Sequence, residues 1–352
     1  MQPEQVLGFG LMLLGAVCGG SFGLPSKFVT DDTPWEVLWG PFFFFVTILI
    51  PVVVAPLVVQ DLGGVYARVG MTTIATVLIF GLLWGLGSMT LGMSFAFIGL
   101  SLAYALNYGA QIVFGSMMPL LLFDADEILT RHGGVILAGV AVCVVGVAVS
   151  GRAGILKDRS LATDPPAEPQ PAAETAIRRP RMLIGLTIGV LSGILCACYA
   201  LASAYAEPIS DEAGIANAPW RAAWAVTAMI LWGGAVSACL YCIVQLTRNK
   251  TWGYLTRPGA GHVLGLAAVM AVLHDAAIFL FGLGWIHLGD LGVPVGYPVF
   301  MSFAIIVGNV HGFRTGEWKG ASRQSVAWII AGIALLVVGV CLLAQGKAMM
   351  PA

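Results

Sequence analysis

The chain has 352 residues, 59% of them hydrophobic and only 10% charged, with a formal net charge of -1 and a mean hydropathy of +0.91. A soluble domain carries roughly 25% charged residues, so no water-facing surface can be built from this composition. A net charge this close to zero gives no general attraction for nucleic acid.

Apolar stretches of the roughly 20 residues that a bilayer core requires follow one another from end to end. Helices satisfy their own backbone hydrogen bonds in lipid, and the ten-residue alternating segments of a membrane barrel are absent, so the sequence predicts an all-α integral membrane protein of the cell inner membrane. The start, Met1-Gln2-Pro3-Glu4-Gln5, lacks the basic region of a secretory signal, which predicts that the first apolar stretch is retained. Ten helices are expected, over about 6–24, 36–60, 72–97, 101–123, 133–150, 182–206, 218–247, 260–286, 290–311 and 325–345. The seven cysteines are scattered through these segments, and Cys239 and Cys242 lie inside an apolar helix with no redox context, so they read as small packing residues.

The one long hydrophilic stretch, 151–181, contains Asp164-Pro165-Pro166-Ala167-Glu168-Pro169 and reads as a disordered linker between a first transmembrane half, 1–150, and a second, 182–352. The halves resemble each other. Residues 138–147 (AGVAVCVVGV) match 331–340 (AGIALLVVGV) at seven of ten positions with an offset of 193, and Gly92 and Gly99 recur as Gly282 and Gly289 with an offset of 190. Five helices is an odd number, so the second copy enters the bilayer from the opposite face, which makes two inverted five-helix repeats. Thirteen of the 17 Lys and Arg residues fall in loops after odd-numbered helices; the other side has Arg68, Arg131, Arg221 and Lys347. The positive-inside rule then puts the linker in the cytoplasm and both termini outside.

Candidate functional residues stand out as polar groups in apolar spans. Tyr104, Asn107, Tyr108 and Gln111 share one stripe of the fourth predicted helix at i, i+3, i+4 and i+7, offering aromatic faces and amides suited to a sugar; interhelical hydrogen bonding is the alternative role. Ser192, Cys196, Tyr199 and Ser203 repeat the pattern more weakly in the sixth helix, and Trp84 with Ser88 lies deep in the third. Pro294 and Pro298 flank Tyr297 in the ninth, where the prolines free backbone carbonyls as in the broken helices of transporters. An ionisable group within a span is costly to keep and is a candidate to carry a coupled proton. His274 and Asp275 are the deepest, with Glu36 and His287 nearer helix ends; because neighbours on a helix point about 100° apart, one of the pair must find a partner away from any cavity.

Several segments carry a resemblance to a known family. They are Phe22-x-x-Pro25-x-Lys27 with Trp35-Glu36-x-x-Trp39; Trp84-Gly85-x-Gly87 with Gly92 and Gly99-x-Ser101; Gly151-Arg152-Ala153-Gly154-Ile155-Leu156-Lys157-Asp158-Arg159; and Met301-Ser302-Phe303 with Glu317-Trp318. Through these the chain resembles the L-rhamnose/proton symporter family of the drug/metabolite transporter superfamily over nearly its whole length. The resemblance implies ten helices in two inverted halves and uptake of a deoxysugar with a proton; the pair His274 and Asp275 is not part of the family pattern.

The expected partners are therefore a small sugar, protons and the lipid bilayer, with no nucleic acid, no cofactor and a monomeric state. The alternative is an exporter or facilitator of another small metabolite within the same superfamily. An ATP-driven pump is disfavoured because no G-x-x-x-x-G-K-[ST] loop is present, and an intramembrane enzyme because no nucleophile or metal set accompanies His274 and Asp275 at ligand spacing.

Overall fold

A computed structural model describes residues 3–30, 32–123, 128–163, 172–288 and 297–349. In chain order it contains α1 (Pro3–Ser21), a 3-10 turn (Leu24–Phe28), α2 (Trp35–Phe44), a π-helical turn (Phe45–Leu49), α3 (Ile50–Val58), α4 (Leu62–Val69), α5 (Met71–Phe123) and α6 (Arg131–Thr163). There follow α7 (Ala172–Cys196), α8 (Cys198–Tyr205), α9 (Glu207–Gly214), α10 (Pro219–Arg248), a 3-10 turn (Trp252–Leu255), α11 (Ala260–Leu288), α12 (Tyr297–Arg314) and α13 (Arg323–Ala348). No strand occurs among the described residues. Among the described residues eight helical segments are long and apolar enough to cross a membrane, and Val299–Arg314 is a shorter apolar helix. The protein is thus an all-helical, multi-pass membrane protein.

Local chemistry explains where these helices bend. Pro51 has no N–H to give the Thr47 carbonyl, and its ring displaces that carbonyl. The chain answers with the π-helical turn that joins α2 to α3, while the Thr47 hydroxyl donates to the Phe43 carbonyl at 2.7 Å. The 53 residues of α5 would form a straight rod about 80 Å long, far beyond the roughly 30 Å of a hydrocarbon core. The rod breaks at Gly99, whose φ of 80° and ψ of 173° suit only glycine.

The helices cluster into two compact units, Met1–Met89 with Leu195–Gly289, and Thr90–Ile194 with Asp290–Ala352. In the first unit α1 runs antiparallel to α11, so close that a Cβ on Gly8 would stand 2.9 Å from the Gly284 carbonyl and one on Gly15 3.1 Å from that of Ala277. α2 runs antiparallel to α10: Glu36 Oε1 accepts from Asn249 Nδ2 and Thr251 Oγ1, each at 2.9 Å, and Thr47 Oγ1 meets Cys239 Sγ at 3.5 Å. The part of α5 before Met89 lies parallel to α10, with Gly81 on the Ile230 carbonyl and the Ser237 hydroxyl donating to the Leu82 carbonyl at 2.8 Å. It crosses α8 antiparallel, the Trp84 and Tyr199 rings 5.9 Å apart and the Phe80 and Tyr205 rings stacked at 5.4 Å.

In the second unit the Glu317 carboxylate caps the helix that restarts after Gly99, accepting from the Leu100 N–H at 2.6 Å and the Ser101 N–H at 3.0 Å. An anion at a helix N-terminus is favoured by both the free N–H groups and the dipole. α6 and α13 run antiparallel along their lengths. A Cβ on Gly139 would stand 2.8 Å from the Gly339 carbonyl, one on Gly146 3.1 Å from that of Gly332, and Cys143 Sγ lies 3.9 Å from the Leu336 carbonyl.

The expectation of disordered chain from residue 151 is corrected, because α6 continues to Thr163 and α7 already begins at Ala172. The extra turns have partners: Arg152 lies over the Trp328 ring and Lys157 over that of Trp318, both at 4.9 Å; Asp158 is buried, and Ser160 Oγ accepts from the Ser322 N–H at 3.1 Å. The proline-rich stretch 164–171 lies outside the described residues.

Candidate functional site

Asp275 is the single acidic residue of α11, 6% exposed within the apolar stretch Ala260–Gly284. Its neighbour supplies its partner. His274 Nδ1 and Asp275 Oδ1 are 3.0 Å apart, so the tautomer with its proton on Nδ1 donates to the carboxyl group. The imidazole is enclosed by rings, with Phe22 at 5.3 Å, Phe42 at 5.9 Å and Trp84 at 5.9 Å between centroids. Asp275 Oδ2 is buried with no hydrogen-bond partner. Leaving such an atom unpaired costs free energy unless something else occupies the place beside it.

A cavity of about 350 Å³ adjoins that carboxyl group, of the size that holds a small organic ligand. α10 begins at Pro219, where a missing N–H costs nothing, and presents Trp220, Trp224 and Thr227 to the cavity at i, i+4 and i+7. α11 presents Asp275 and Phe279, one turn apart, and α8 presents Tyr199, whose hydroxyl lies 3.5 Å from Thr227 Oγ1. The lining is mostly apolar, with Asp275, Tyr199 and Thr227 among its few polar side chains, an arrangement suited to an amphipathic solute. α9 contributes Ser210 at the rim and is tied to α4 by Arg68, which meets Glu212 Oε1 at 2.5 Å and Asp61 Oδ2 at 2.9 Å. The Arg68 hydrogen bond holds the Asp61 carboxyl below the usual carboxylate range.

Of the residues singled out in the sequence, Trp84, Tyr199, His274 and Asp275 come together here, and Ser88 is buried one turn beyond Trp84. Glu36 is also buried, but it lies at the start of α2 under Asn249 and Thr251 and does not line the cavity. Tyr104, Asn107, Tyr108 and Gln111 belong to the other unit. There Asn107 donates to Ser192 Oγ at 2.8 Å and accepts from Gln111 Nε2 at 2.6 Å, while the Tyr104 ring is wholly buried on Gly308 beside Tyr108. Pro294 and the Tyr297 side chain fall outside the described residues. Trp220, Trp224, Thr227 and Phe279 escaped the sequence reading, although the 220, 224, 227 spacing is as clear a stripe as the one in the fourth predicted helix. Glu317, read only as part of a loop motif, proves to be the cap of the Gly99 break. Among the described residues no group of three or more His, Cys, Asp or Glu side chains could hold a metal ion.

The chain is 27% identical to an L-rhamnose-proton symporter of Mannheimia succiniciproducens and 25% identical to one of Escherichia coli, in each case covering 99% of this chain and all of the relative. A family model described as L-rhamnose-proton symport protein (RhaT) matches residues 1–349, and the chain belongs to that family.

Proposed function

We propose that this protein takes up L-rhamnose or a closely related deoxysugar together with a proton, that the sugar occupies the cavity of the first unit, and that Asp275 carries the proton. Members of this family are transporters, and the protein is not an enzyme. The observation that carries the site assignment is Asp275 itself, a buried carboxyl group with one oxygen held by His274 and the other unpartnered beside a ligand-sized cavity. An ionisable group at that depth is costly to keep unless it works. A proton on the open oxygen turns it into an O–H donor for a sugar hydroxyl oxygen, so the protonated site holds the sugar better and loading of one favours loading of the other. Tyr104, Asn107, Tyr108 and Gln111, with Tyr297, are retained as a further set of sugar contacts, Gln111 being the partly exposed end of the stripe. Glu36 is retained as a second proton-accepting group.

The proposed frame is ten spans in two inverted halves, with α5 counted as two spans meeting at Gly99 and α12 as one. Packing directions support this count. Spans one and eight, two and seven, three and six, four and nine, and five and ten are antiparallel neighbours, whereas three and seven, and four and six, run parallel, as strict alternation requires. The repeat is supported by the α6–α13 contact: adding 193 turns the pair Gly139–Gly339 into Gly332–Gly146, and Cys143 meets Leu336, its own counterpart. With the offset of 190, Trp84 and His274 are likewise counterparts, and their rings meet at 5.9 Å. The acid thus lies beside a local two-fold axis, where a site is shared by the two states of an alternating-access cycle.

The test is uptake by purified protein in proteoliposomes. An acid-outside pH jump should drive accumulation of radiolabelled L-rhamnose, and a proton ionophore should abolish it. Accumulation that survives the ionophore would exclude proton coupling.

A further inference from the structure

We infer that Trp220, Trp224 and Phe279 form the surface that recognises the methyl-bearing, C–H-rich side of a 6-deoxyhexose and so selects it over the corresponding hexose. This rests on the reading that the sugar occupies the cavity beside Asp275.

The lining is layered along its helices. Thr227 and Asp275 each lie about one turn inward from an aromatic residue on the same helix, Thr227 from Trp224 and Asp275 from Phe279, so the hydrogen-bonding groups form one level with Tyr199 and the rings another. The ring centroids of Trp224 and Phe279 are 6.2 Å apart, tilted by 32°, and those of Trp220 and Phe279 are 6.3 Å apart, edge to face at 85°. Phe279 touches both tryptophan rings, so the three line the cavity as one wall. Ser203 adds no free donor near them, since its hydroxyl is bonded to the Tyr199 carbonyl at 2.9 Å.

A sugar set against such a pair of levels is sorted by where its hydroxyls lie. Hydroxyls facing Asp275, Tyr199 and Thr227 find partners, whereas one facing the rings meets indole and benzyl surfaces that accept no hydrogen bond. A methyl group at C6 fits there; a hydroxymethyl group set against the ring faces loses the water that accepted its O–H and finds no acceptor in the rings. An apolar pocket rejects an added hydroxyl only moderately, by about 100-fold at most.

The experiment compares L-rhamnose with L-mannose, the same ring with a hydroxyl on C6. Apparent affinities are measured by counterflow in proteoliposomes without a pH gradient, which separates recognition from coupling. Wild type should prefer L-rhamnose by about 10- to 100-fold. The preference should fall by about three-fold or more in Trp224→Ala and in Phe279→Leu, and stay within about two-fold of wild type in Trp224→Phe. If Trp224→Ala does not fold, Phe279→Leu carries the test. A wild-type preference near one, or an unchanged preference in the truncated variants, overturns the proposal. An unchanged preference with weakened affinity for both sugars in the truncated variants overturns the wall alone, whereas unchanged affinity for both sugars overturns the reading that the sugar occupies this cavity.

Discussion

Asp275→Asn separates a symporter from a passive carrier at a single atom. The amide keeps the shape of the side chain, and its oxygen can still accept from His274 Nδ1, replacing the 3.0 Å contact made by Oδ1. The change falls on Oδ2, the buried oxygen without a partner, which becomes an NH2 group that neither takes up nor releases a proton. One titrating carboxyl group moves one proton per sugar. Each pH unit is then worth about 1.4 kcal/mol, a factor of about ten in concentration, so a two-unit gradient at zero membrane potential should sustain about 100-fold accumulation in wild-type proteoliposomes. The variant should fall to equality across the membrane under the same gradient. It should nevertheless exchange labelled for unlabelled L-rhamnose, because the cavity is intact. Accumulation by well-folded Asp275→Asn approaching the wild-type ratio would refute the assignment and shift it to Glu36.

Gln111→Leu removes the donor to Asn107 Oδ1 and, if the stripe touches sugar, a hydroxyl partner as well; apparent affinity should weaken by about 5- to 150-fold, corresponding to about 1 to 3 kcal/mol, and unchanged affinity in folded protein would leave the stripe as interhelical packing. Glu317→Gln exchanges one of the two oxygens that cap the break in α5 for a donor facing an N–H group, and should lower stability by about 1 to 3 kcal/mol in thermal unfolding in detergent; Gly99→Ala should cost at least as much, since its Cβ would stand 2.6 Å from the Glu317 carboxyl carbon at a φ of 80°. A reporter active only in the cytoplasm should be silent when fused after Ala352 and active when inserted in 164–171, and the opposite result would invert the proposed orientation.

The membrane character and most helix positions were legible because lipid imposes a length and a composition on every span. Breaks inside apolar runs were less so. Gly99 could be seen as a turn between two helices, but its cap, Glu317, is more than two hundred residues away, and only the packed chain reveals that the Gly99-x-Ser101 and Glu317-Trp318 segments are halves of one device. The reach of α6 to Thr163 was hidden for a related reason. Its polar residues resemble linker in composition, and they are ordered by the rings of Trp318 and Trp328 on a distant segment. Asp275 was found by cost alone, since an acid in mid-span is conspicuous in any apolar sequence. The cavity around it was not found, because tryptophan and phenylalanine in a membrane helix look alike whether they face lipid, a neighbour or a ligand.

The surroundings of His274 bear on how the proposed site would serve two sides in turn. On the imidazole Phe22 and Phe42 pack within 6 Å, and the Trp39 and Phe43 rings lie 5.2 and 5.0 Å from that of Phe42. On the carboxyl side lies the cavity. The pair therefore has an aromatic cluster on one side and a cavity on the other, both within the first unit. Under the proposed inverted repeat the counterpart of His274-Asp275 is Trp84-Gly85, which carries no charge, so the acid is present in one half alone. In that proposed frame a single titrating group beside the two-fold axis is presented to either side without moving far along the membrane normal, which is what coupled transport would require of it.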